Sequence, residues 1–225
     1  MTDHATDQAT DHATDLFAPL QAGGPELEAL RARLADRAEA DGLLDVSYRT
    51  LDSPVGPLLL AATPLGLVRV AFAVEGHDAV LADLADRIGP RVLHATRPLD
   101  AAAHAIEGYL AGQVRAFDLP LDLRLAHGFR REAIGHLRDI DYGHTASYAA
   151  LAALAGRPTA VRAAASACAT NPLPLVLPCH RVVRADGSLG RYLGGEEVKA
   201  QLIALEADTL AGGTTTARGP GTHAS

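Results

Sequence analysis

Between residues 46 and 73 short apolar runs alternate with turn signals. The runs 46–51, 58–62 and 67–72 are divided by Ser53-Pro54-Val55-Gly56-Pro57 and by Pro64-Leu65-Gly66, the pattern of three strands in a meander. Residues 79–88 and 99–111 then carry leucine, isoleucine or alanine on one face, which predicts two helices and makes 46–118 a small α+β unit. Past Leu119-Pro120-Leu121 the strand signal fades. Helices are predicted at 129–140, 147–155 and 159–170, with Gly156-Arg157-Pro158 breaking the last two apart. Two short helices about a tight turn suggest a helix-turn-helix, although any helical hairpin gives the same pattern. The predicted fold class is α+β, a small antiparallel-sheet domain followed by a mainly helical one.

The ends of the chain read differently. Leu27, Leu30 and Leu34 fall at helical spacing among Arg and Glu, so an amphipathic helix is predicted within 25–45 and is expected to pack on the next domain. Residues 3–15 repeat Asp-His-Ala-Thr or Asp-Gln-Ala-Thr with period four, which offers no apolar face, so 1–24 is expected to be a disordered acidic tail. Residues 210–225 are expected to be a flexible tail.

Composition and charge refine this picture in two places. With 48% hydrophobic and 21% charged residues in 225, the chain can bury a core, and disorder throughout is excluded. No run of about 18 apolar residues occurs, and the N-terminus lacks the basic-then-apolar order of a secretory signal, so a cytoplasmic protein without membrane contact is expected. The formal charge of -7 argues at first against a nucleic-acid partner. Residues 1–44, however, hold 9 acids against 3 bases, while 121–209 carries 10 bases against 9 acids. The acidity therefore says little about what the second half binds.

The chemistry concentrates in Asn171-Pro172-Leu173-Pro174-Leu175-Val176-Leu177-Pro178-Cys179-His180-Arg181-Val182-Val183. Three prolines bias their predecessors away from helix, so the run is expected to be extended and to deliver Cys179 directly before His180. Two cysteines, Cys168 and Cys179, make neither a disulfide framework nor a zinc site, and no metal or other cofactor is expected. A thiol attacks as its thiolate, and a neighbouring base such as His180 lowers its pKa from about 8.5. An isolated Pro-Cys-His is more often a buried cysteine beside a turn histidine.

The flanks add weight. The stretch from Asn171 to Val183, with Asp186-Gly187-Ser188-Leu189-Gly190-Arg191-Tyr192, Gly194-Gly195 and the segment from Lys199 to Glu206, closely resembles the active-site signature of the O6-alkylguanine-DNA alkyltransferases. The resemblance extends to Ser147-Tyr148-Ala149-Ala150-Leu151-Ala152 and Arg162, and more loosely to Leu51-Asp52-Ser53-Pro54-Val55-Gly56-Pro57-Leu58. It covers roughly 46–209. It implies a ribonuclease H-like domain at 46–120 and a DNA-binding and active-site domain at 121–209 with a winged-helix-like helix-turn-helix.

The roles it implies are specific. Cys179 would accept the alkyl group, and His180 would draw off its proton through a water toward Glu206. Asn171 would hold the turn that presents the thiol. Tyr148 would donate to the departing guanine. Arg162 would take the place of the extruded nucleotide, with Ala160 and Ala163 letting the helix lie close in the minor groove. Arg184 would touch a phosphate. Tyr192, Pro174, Leu193 and Gly194 would line the substrate pocket. The partner would be double-stranded DNA carrying O6-alkylguanine, and the protein would act once, as a monomer and a stoichiometric acceptor.

Departures from the family pattern touch Ala164-Ala165, expected to add a methyl where the DNA backbone passes, and Leu193, where a smaller residue is common. Two other function classes remain open: a non-catalytic lesion-binding protein on the same scaffold, and an alkylation sensor that regulates transcription.

Overall fold

The computed structural model describes residues 25–213, so the tails expected over 1–24 and 214–225 lie outside the described residues. The chain divides into two compact units, one ending at Leu43 and one beginning at Leu44. The first contains helix α1 (Pro25–Ala40), closed by Gly42 N–H on Glu39 O and Leu43 N–H on Ala38 O. Leu30 and Leu34 of this helix are 59% and 58% exposed.

The second unit opens with the predicted meander. Strands β1 (Val46–Leu51), β2 (Leu58–Thr63) and β3 (Gly66–Phe72) pair antiparallel. After helix α2 (His77–Arg87) the chain returns as β4 (Val92–His94), parallel to β1, giving the order β3-β2-β1-β4. The fourth strand was not predicted, because three half-exposed residues carry no alternation long enough to read.

Strand β2 shows why its sequence is apolar without a break: both faces are covered. Leu59 and Ala61 join Val46, Val68, Val80 and Leu84 beneath α2. Leu58 and Leu60 face the larger core, which takes in Leu99, Ile106 and Tyr109 from the region of helix α3 (Asp100–Leu110). The same core continues through Ile134, Leu151, Leu173, Val182 and Leu202, so the chain on either side of residue 120 shares one apolar interior. Each fully buried leucine in it contributes about 2 kcal/mol.

The stretch where the strand signal fades is held to the sheet. Leu67 N–H donates to Pro120 O at 2.9 Å and Asp122 N–H to Leu67 O at 2.9 Å, while Thr63 Oγ1 donates to Asp122 Oδ2 at 2.6 Å. Gly66 makes this approach possible, because a Cβ there would stand 2.3 Å from Pro120 O.

The second half is helical, as predicted, with differences at the ends. Helix α4 (Gly128–Gly135) passes into a 3-10 turn at His136–Asp139 in place of one helix over 129–140. Helix α5 (Tyr148–Leu154) is capped by Ser147 Oγ, which accepts from Ala150 N–H at 3.1 Å. A tight turn leads to α6 (Val161–Ala169), whose buried side, Ala164, Ala167 and Cys168, faces the core. Two short parallel strands, β5 (Ala146–Ser147) and β6 (Val182–Val183), join the start of α5 to the reactive segment. Helix α7 (Glu196–Gly213) closes the described chain, so residues 210–213, expected in the tail, are helical. Among the described residues no helix is long and apolar enough to cross a membrane.

Replacing Gly66 by alanine should lower stability by about 2 kcal/mol or more, since the added methyl meets a backbone carbonyl and φ is +137°. Urea unfolding of Gly66→Ala at wild-type stability would show that the 120–122 segment is free to move aside.

Candidate active site around Cys179

The segment 171–183 is buried throughout, but it is not the extended run that its prolines suggested. Leu177 N–H reaches back to Leu173 O at 2.8 Å, and Leu175 takes φ +72°, the only positive φ outside glycine among the described residues. Asn171 makes this compact turn possible. Its Oδ1 accepts from Leu173 N–H at 3.0 Å and its Nδ2 donates to Leu177 O at 2.8 Å, so one side chain closes both ends of the loop. Local side-chain hydrogen bonds outweigh the preference of pre-proline residues for extended backbone here. The left-handed Leu175 costs of order 1 kcal/mol, offset by its burial in the core.

The loop leads into a 3-10 turn, Cys179–Arg181, and then β6. Cys179 is 2% exposed, and burial pushes its thiol up to about 11, against the pull of the Asn171 amide and the Lys199 ammonium. In the closed chain the sulfur therefore rests as a thiol, a correction to the expectation of a lowered pKa. The loss of hydration outweighs the nearby positive charge.

His180 is fully buried, with Nε2 2.9 Å from Glu206 Oε1. Its Nδ1 is buried and has no hydrogen-bond partner among the described residues. Burial holds the imidazole below its ordinary pKa, although Glu206 pulls upward. The ring is neutral at pH 7, with the proton on Nε2 and a free lone pair on Nδ1.

Glu206, from α7, is 1% exposed and receives donors from four directions. Tyr109 Oη donates to Oε1 at 2.6 Å; Arg181 donates from Nη2 to Oε1 at 2.9 Å and from Nε to Oε2 at 3.0 Å; Gly143 N–H donates to Oε2 at 2.8 Å. Burial alone would raise this carboxyl, but the hydrogen bonds from His180 and Arg181 hold it down to about 2. Arg181 also donates from Nη1 to Ile140 O at 2.6 Å and lies over the Tyr142 ring, 5.5 Å from its centroid.

Tyr148 begins α5, immediately after β5, so the parallel pairing with β6 sets it beside the reactive turn. Its hydroxyl lies against Gly190, where a Cβ would stand 2.8 Å away. Burial raises its pKa, with Cys168 and Cys179 adding to the effect, so it is a neutral donor at pH 7. Tyr192 stands edge-on to His180, centroids 6.3 Å apart, and its buried hydroxyl has no partner among the described residues.

The other pocket residues separate. Pro174 is buried in the turn, and Gly194 packs on Phe72, where a Cβ would come within 2.9 Å of the ring. Leu193 lines a different cavity of about 330 Å³ with Arg69, Arg130, Asn171 and Pro172. Tyr192, Pro174 and Gly194 are not among the residues that line that cavity.

On α6, Arg162 and Ala163 are exposed and Ala160 is half-buried at the N-cap. Arg162 has no hydrogen bond or ion pair to any described residue. Ala164 is fully buried, so the methyl expected to face DNA faces the core, and only Ala165 retains partial exposure. Arg184 is exposed in a turn, with Nη1 on Ser188 Oγ at 3.2 Å.

Three participants escaped the sequence reading. Tyr109 lies far away in the chain, and Arg181 was given no role beyond its place in the motif. Lys199 had a signal: it is the single lysine among 20 basic residues. It is fully buried, donating from Nζ to Val182 O at 2.6 Å and to Leu189 O, and so ties β6 to the loop that carries Tyr192.

Residues 46–123 match the ribonuclease-like domain of 6-O-methylguanine DNA methyltransferase, and 128–208 match its DNA binding domain. The chain belongs to the 6-O-methylguanine DNA methyltransferase family. It is similar to the methylated-DNA--protein-cysteine methyltransferase of Mycolicibacterium paratuberculosis, with 39% identity over 72% of this chain and 92% of that one. The bifunctional transcriptional activator/DNA repair enzyme Ada of Escherichia coli is 38% identical over 73% of this chain but only 46% of its own length. Among solved structures, the Mycobacterium tuberculosis O6-methylguanine methyltransferase aligns with a TM-score of 0.64 at 33% identity, over 73% of this chain and 94% of that one. The crystal structure of Mycobacterium tuberculosis OGT in complex with DNA aligns with a TM-score of 0.61 at 34% identity, over 72% and 94%.

Arg181→Leu should destabilise the fold by about 3 kcal/mol or more, because it strands the buried Glu206 charge with fewer donors. Urea unfolding at pH 7 measures it, and wild-type stability in this variant would contradict the network described.

Proposed function

We propose that this chain is a DNA-repair alkyltransferase that moves the alkyl group of O6-alkylguanine in double-stranded DNA to Cys179. The observation that carries the reading is the order Cys179, His180, Glu206, with Glu206 bonded to Nε2 and Nδ1 left with a free lone pair. An acceptor that rests as a thiol needs a base whose lone pair is held available, and this arrangement supplies one.

The O6 atom of a stacked guanine is out of reach of a buried sulfur, so the nucleotide leaves the helix. Arg162, exposed on α6 and without a partner among the described residues, fills the gap, while Ala160 and Ala163 keep the helix surface low. Arg184 contacts a phosphate. Because Cys179 is almost sealed, the covering groups part as the base enters. The thiol proton passes through a water to Nδ1 of His180, and the charged Glu206 stabilises the imidazolium. Sulfur attacks the alkyl carbon, the bond from carbon to O6 breaks, and the electron pair returns to guanine as Tyr148 donates to it. Asn171 holds the turn in place, and Tyr192 with Pro174 and Gly194 shapes the side facing the base.

The product thioether has no easy leaving group, so each chain acts once. A direct displacement asks for no metal or cofactor. In this reading residues 46–120 form a supporting domain, 121–209 hold the DNA and the reaction, and a monomer suffices. In this reading the protein works in the cytoplasm.

Incubation with a duplex containing O6-methylguanine should add about 14 Da, one CH2, to the intact mass, once per chain; Cys179→Ala should add nothing. Binding of the duplex by wild type without any mass increment would replace this reading with that of a lesion-binding protein.

A further inference from the structure

Tyr109 comes from α3, in the half of the chain that the transfer reaction proposed above uses only as support. It is nonetheless fully buried at the centre of the site, and its hydroxyl touches both members of the base and acid pair. A phenol has one proton to give. That proton goes to Glu206 Oε1 at 2.6 Å, so toward His180 Nε2, 3.1 Å away, the oxygen presents lone pairs only. Nε2 must then carry a hydrogen, which it shares between Glu206 Oε1 at 2.9 Å and Tyr109 Oη. The other tautomer would set a bare Nε2 against a carboxylate oxygen and a phenol oxygen at once.

Packing alone does not call for this hydroxyl. The ring sits 5.3 Å from Phe117 and 6.1 Å from Tyr142, contacts that a phenylalanine would make equally well. Burial, reinforced by the Glu206 charge, raises the Tyr109 pKa above its ordinary value, so the group stays a neutral donor across the working pH range.

We propose that Tyr109 is a positioning residue of the reactive centre: its hydroxyl, bridging Glu206 Oε1 and His180 Nε2, fixes the imidazole in the tautomer and orientation that leave Nδ1 free to take the Cys179 proton. The proposal rests on the transfer reading for its effect on rate, and on geometry alone for its effect on the imidazole. It makes the first half of the chain a direct contributor to the reactive geometry.

Tyr109→Phe tests it with two readouts. Single-turnover transfer from an O6-methylguanine duplex should slow about tenfold at saturation, the loss of one hydrogen bond to a charged group, while the half-saturating DNA concentration stays within about twofold of wild type. The 15N signals of the His180 ring should report a protonated Nε2 and a bare Nδ1 in wild type and move toward a mixture in the variant. Phe117→Leu, which disturbs the same packing but keeps the hydroxyl, should leave both readouts unchanged. Wild-type rate and wild-type imidazole signals in Tyr109→Phe would overturn the proposal, as would an equal slowing in Phe117→Leu. The wild type alone decides it should Tyr109→Phe not fold: a His180 protonated on Nδ1 contradicts the bridge. A wild-type chain that transfers nothing sinks the repair reading, and the imidazole comparison still decides the role of Tyr109.

Discussion

A carboxylate taken out of water must be surrounded by donors or it will be protonated, and Glu206 is the group around which this requirement shapes the protein. Its two oxygens draw in a phenol, an imidazole, a guanidinium and a backbone N–H. Those four donors come from positions 109, 180, 181 and 143, on three separate stretches of chain. Satisfying one charge thus fixes α3, the 3-10 turn, the approach to β5 and α7 relative to one another. The reactive turn is rigid because the acid behind it is.

The same logic explains why the site sits in the interior. Cys179 and His180 lie on a loop closed by Asn171, pinned from the side by Lys199 and from behind by Arg181. Cations and amides substitute for the hydration that burial removes. For the thiol and the imidazole the loss of hydration still outweighs them, which leaves a resting thiol with a raised pKa and a resting neutral imidazole, both poised for a proton transfer that becomes useful only when a substrate carbon arrives. A sulfur that ionised freely in the empty protein would be open to oxidation and to other electrophiles.

Much of this was legible in the sequence, and the reasons for the rest are physical. The three strands of the meander and the helices of the second half follow local periodicity, which a sequence displays directly. The three-residue β4 has no period to display. The prolines of 171–178 suggested an extended run, because the two hydrogen bonds of Asn171 that fold it back are particular to one geometry. Cys179, His180 and Glu206 were readable because neighbouring residues carry a distinctive motif. Tyr109 was not, since its place beside Glu206 is a product of tertiary packing across 97 positions. Lys199 stood between: one lysine in a chain that otherwise uses arginine is visible in the composition, but its function as a peg between two carbonyls is not. Ala164 shows the converse error, where a position in a motif was taken for a direction in space.

The account stands or falls on Glu206 remaining charged while buried. Its folded pKa lies below the unfolded value, so the stabilisation it brings is complete above about 4.5 and is lost as the pH falls toward 2. The direct measurement is the 13C shift of the Glu206 carboxyl, followed from pH 6 downward in the folded protein. The account predicts the ionised shift down to about pH 3 and a midpoint near 2. A midpoint at or above 4.5, with the protein still folded, would contradict it.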